Sequence, residues 1–145
     1  MLARFRAAGE PVCHIQHVWD APDATFMRPG TSGVEINDAV APAAGEPVIH
    51  RDAPNAFLRT PLARDLRERG IDGLVVCGMM TSVCVDATVR AAADLGFEVT
   101  VVHDACAAPD LEFGRVSVPA PAVGAAFLAA LADGYASVLA ASELP

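Results

Sequence analysis

The chain has 145 residues, 53% of them hydrophobic and 19% charged, with a formal net charge of -8. That suits one globular domain over residues 1–145 and excludes a disordered acidic tail, which could not carry so much apolar surface. The ten basic residues are all arginine and face eighteen acids, which excludes the basic footprint of a nucleic-acid binder.

Taken in chain order, helical spacing covers residues 1–8 and an apolar run of strand length covers 12–18. A long ordered loop follows over residues 20–45, rich in proline and glycine, with one helical turn around 35–40. A short strand over 47–50 precedes a helix over 60–69. A strand over 73–77, a helix over 82–95 and a strand over 99–103 come next, then an apolar helix over 119–132 and a weak strand over 136–139. Strands alternating with helices predict an α/β domain with a parallel sheet, and the nearly continuous Val and Ile content predicts strands buried on both faces. Gly9, Gly70 and Gly96 each follow a helical stretch, where a left-handed cap favours glycine.

No run reaches the roughly 18 unbroken apolar residues of a membrane span, and the opening MLARFRAAGEPV reads as too short for a signal peptide. Cys13, Cys77, Cys84 and Cys106 form no C-x-x-C pair, so they are expected to be reduced thiols of a cytoplasmic protein.

In an open parallel sheet, chemistry gathers where the strands end. The residues just past each run are His17 and Trp19, Arg51, Cys84 and Asp104. Cys84 falls in the first turn of the helix after the third strand. Free backbone N–H groups and the positive end of the helix dipole there favour a thiolate and a developing oxyanion, while a buried inert cysteine explains the position equally well. Cys84 and Arg90 also have the C-x5-R spacing of a phosphatase loop, but the residues between them contain no glycine and include Asp86, so they read as ordinary helix. His14 and His17 are three apart on a strand and point to opposite faces, so no catalytic metal is expected.

The stretch Gly-Met-Met-Thr-Ser-Val-Cys-Val-Asp-Ala-Thr (78–88), with Ala91-Ala92, Leu95-Gly96 and Asp104-Ala105-Cys106-Ala107, resembles the signature of the isochorismatase-like cysteine hydrolases. Glu46-Pro47-Val48-Ile49-His50-Arg51, Pro54-Asn55-Ala56-Phe57, Thr60 and Leu62 are similar to that family's second motif. The resemblance implies a three-layer α/β/α fold with a mainly parallel, Rossmann-like sheet. It implies hydrolysis of an amide, ureide or vinyl-ether bond in a small molecule, with Cys84 as nucleophile and the N–H groups of Met80 and Cys84 as oxyanion hole. It also implies a non-proline cis peptide between Met79 and Met80.

Arg51 stands where relatives carry a catalytic lysine; it keeps its charge and would orient a carboxyl group or support a thiolate, without exchanging a proton. The family's first, central strand ends in a catalytic aspartate and has no counterpart after Met1, so residues upstream are expected to be missing or the gene truncated. Asp20, Asp52 and Asp104 are the remaining carboxylates near strand ends. The segment Gln16-His17-Val18-Trp19-Asp20 lacks the metal-binding pattern of nicotinamidase-like relatives, which points to a metal-free subgroup without a cofactor. His17, Trp19, Phe57, Met79 and Met80 are candidates to line an apolar pocket, or to be ordinary core. The family commonly assembles as oligomers, so a homo-oligomer is expected, with no membrane partner. The alternative reading is a catalytically inactive member retained for binding or oligomer assembly.

Overall fold

The structure, a computed structural model, describes residues Met1–Pro145 and falls into two units, Met1–Leu62 and Ala63–Pro145. In the first, helix α1 (Leu2–Ala8) stops at Gly9, whose φ of 74° lets the chain turn back in the left-handed conformation. Strand β1 (His14–His17) then runs parallel to β2 (Val48–Arg51), with Ile15 opposite Ile49 and His17 opposite Arg51. The connecting loop contains two 3-10 turns, Ser32–Val34 and Asp38–Val40, where the sequence predicts one. Asn37 starts the second by accepting the Ala39 N–H at 3.0 Å, a local bond that asparagine makes readily.

Glu46 is the anchor of this unit. Its carboxylate accepts from Arg6 at 2.7 and 2.8 Å, from His14 Nε2 at 2.8 Å and from the Ala43 N–H at 2.8 Å. The Arg6 and Ala43 donors hold its carboxyl well below the usual carboxylate range. Gln16 reaches across to donate to the Val34 carbonyl at 2.7 Å, which ties the loop to β1.

The second unit contains α2 (Leu62–Glu68, apart from its first residue), β3 (Gly73–Met79), a π-helical turn over Thr81–Val85, α3 (Asp86–Asp94) and β4 (Glu98–Ala107). The hairpin strands β5 (Leu111–Phe113) and β6 (Val116–Val118), helix α4 (Ala120–Ala132) and β7 (Ser137–Leu139) complete it. Its parallel sheet has the order β3-β4-β7. Helices α3 and α4 pack on β4 and on each other. The buried Val89 and Ala92 of α3, Val99, Val101 and Val102 of β4, and Val123 and Leu131 of α4 form the core of this unit.

The fold is α/β with mainly parallel strands, and Gly70 and Gly96 have positive φ angles of 69° and 90°, like Gly9. Two expectations are corrected. Burial on both faces holds for the centre of β4 but not elsewhere: Ile15, Val48 and Val75 are exposed. The reason is edge position, since β1 pairs only with β2 and β3 only with β4. The strand expected over 99–103 is longer, since β4 continues to Ala107, and Leu111–Val118, where no element is expected from the sequence, folds as an antiparallel hairpin closed by Gly114 at φ 63°. No helix is long and apolar enough to cross a membrane.

Candidate active site

Cys84 is held by a turn whose geometry follows from one carbonyl. The oxygen of Met80 accepts from the Val83 N–H at 3.1 Å and from the Val85 N–H at 3.2 Å, so the chain leaves β3 through one wide turn before α3 begins. The Met79–Met80 peptide bond is cis. Cys84 is 9% exposed, with Thr81 and Val85 buried beside it in sequence. Ser82 lies in the same turn, and its buried hydroxyl oxygen has no hydrogen-bond partner. Asp86, in the first turn of α3, takes Arg90 at 2.9 Å, and the Arg90 guanidinium lies 4.5 Å from the centre of the Tyr135 ring. Arg90 is thus occupied along the helix, as expected of ordinary helix rather than a phosphate clamp.

The four cysteines are all unbridged. Desolvation pushes the Cys77 and Cys106 thiols up, and at Cys77 the nearby Cys106 adds to the effect. Both are the poorer for it as nucleophiles.

In the first unit, Arg51 at the end of β2 is 8% exposed. Its Nη1 donates to His17 Nδ1 at 2.6 Å and to the carbonyl of Ala53. Arginine has no acceptor, so Nδ1 must be the unprotonated nitrogen of a neutral His17 with its proton on Nε2. Burial first, then the Arg51 charge, lowers the His17 pKa from its usual 6.5, against a smaller opposing pull from Asp52. Arg51 Nε is buried without a partner. A cavity of about 310 Å³ lies here, lined by Val18, His50, Arg51, Asp52, Leu58, Arg59 and Thr60. Across its wall Arg59 binds Asp52 at 2.8 Å.

The other residues singled out from the sequence lie as follows. Trp19 packs edge-on against Phe26, with ring centres 5.2 Å apart, and Phe57 is half-buried; neither lines the cavity. Met79 is 66% exposed. Asp104 accepts the Ala141 N–H at 2.9 Å. No three His, Cys, Asp or Glu side chains stand together as a metal-binding group.

Residues 1–119 match the isochorismatase domain model. An uncharacterized isochorismatase family protein of Bacillus subtilis, YddQ, is 46% identical over 138 residues, which is 95% of this chain and 77% of that protein. The chain belongs to the isochorismatase family. Within this hydrolase family, the structure of an isochorismatase from Pseudomonas putida KT2440 superposes with a TM-score of 0.93 at 34% identity, over 99% of this chain and 73% of that one. A maleamate amidohydrolase of Pseudomonas putida is 37% identical over 89 residues, 60% of this chain and 42% of that protein.

For this isochorismatase-family chain, the sequence reading named Cys84 and Arg51 as site residues, placed His50 and Thr60 in a motif without giving them a place in the cavity, and missed Ser82, Leu58 and Arg59. Thr60 has a readable signal: a threonine two residues before Leu62, whose N–H its oxygen accepts at 3.4 Å, at a helix start. Arg59 has a φ of 57°, a conformation rare outside glycine and asparagine, and nothing in the sequence marks it.

Proposed function

We propose that this isochorismatase-family chain hydrolyses an amide or related C–N bond in a small molecule, with Cys84 as nucleophile. The observation that carries the reading is the position of Cys84. It is buried at the strand-to-helix turn, where the N–H groups of Met80 and of Cys84 itself are proposed to receive an oxyanion. The relation to an amidohydrolase supports amide chemistry in particular.

In the proposed reaction, a carboxylate base of the kind the family uses takes the thiol proton. The sulfur forms a bond to the carbonyl carbon, and the negative charge moves to the carbonyl oxygen. The tetrahedral adduct collapses, the C–N bond breaks, and the amine leaves with the proton. Water then adds to the thioester, releasing the acid and restoring the thiol. Arg51 stands in the place of the family's lysine; its permanent charge supports negative charge without exchanging a proton.

The test measures ammonia release from a panel of small primary amides and N-carbamoyl acids, with intact-protein mass spectrometry of quenched reactions. Turnover by the wild type, a thioester adduct mapped to Cys84, and loss of both in Cys84→Ala are expected. Turnover retained in Cys84→Ala would refute the nucleophile assignment.

A further inference from the structure

We draw no further inference here: the strongest candidate, the apolar face that Leu111, Phe113, Val116 and Val118 form on the β5–β6 hairpin, with Phe113 89% exposed, carries none, because nothing in the structure shows what covers it.

Discussion

The Ser82 hydroxyl is a polar side-chain group of the Cys84 turn that is buried without a partner, and its removal should stabilise the protein. A buried, unsatisfied hydroxyl costs about 1–3 kcal/mol relative to one that keeps its hydrogen bond to water. Ser82→Ala removes that cost and retains Cβ, so no methyl-sized cavity opens. The side chain is only half-buried overall, which places the gain toward the low end, about 1 kcal/mol. Urea unfolding followed by far-ultraviolet circular dichroism checks this. With a slope of about 1–2 kcal/mol per molar for a chain of this size, the midpoint should rise by roughly 0.5–1 M without a change in slope. A midpoint that falls would refute the reasoning, because it would mean that the hydroxyl has a partner in the folded protein. A gain in stability accompanied by lost turnover would identify the hydroxyl as a group kept unsatisfied for the substrate, a common exchange of stability for activity.

Leu131→Ala should be among the most damaging changes in the second unit. Leu131 is fully buried at the end of α4, and the substitution should cost about 3–4 kcal/mol by denaturant unfolding, three buried carbons plus the cavity they leave. Gly78→Ala meets no atom within 4 Å, yet its φ of 134° is a conformation that L residues rarely adopt. It should therefore lose about 1–3 kcal/mol through backbone strain alone, and a neutral result would show that the strand end relaxes freely. His17 predicts a pH dependence. Its folded pKa lies below the usual 6.5, so the unfolded chain takes up the proton first. The stabilisation is full above about pH 6.5 and is lost as pH falls through the depressed folded value. His17→Gln, which still accepts from Arg51, should flatten the stability profile in that window. The Glu46 window, which starts lower, near its usual 4.5, should persist.

The sequence made most of the elements and the turn that holds Cys84 legible for physical reasons that also explain what it hid. Helix ends at Gly9, Gly70 and Gly96 were readable because a left-handed cap demands a residue type. The strand-to-helix turn at Cys84 was readable because an apolar run met a helical pattern with only Gly78, Met79, Met80 and Thr81 between them. The β5–β6 hairpin was passed over although Leu111, Phe113, Val116 and Val118 carry a strand's alternation around Gly114. Strands of three residues fall below the length at which alternation separates strand from loop. Exposure of Ile15 and Val75 could not be read from composition, since a strand's apolar content does not say how many neighbours it pairs with.

What spacing could least reveal is charge balance. Read along the chain, Arg51 sits beside Asp52, and the bland interpretation is a neutralised surface pair. The folded chain gives that acid to Arg59, seven residues on, and buries Arg51 against His17 instead. An arginine at the position proposed to match the family's lysine therefore has a structural logic of its own. A lysine presents three rotatable donors on a point charge, whereas the planar guanidinium can spend one nitrogen on His17 and Ala53 and still keep Nε on another edge. That division of labour requires His17 to stay neutral, and burial together with the Arg51 charge is what lowers its pKa. The same cation thus sets the tautomer that orients it, and protonating His17 would withdraw the acceptor and place two positive charges in contact.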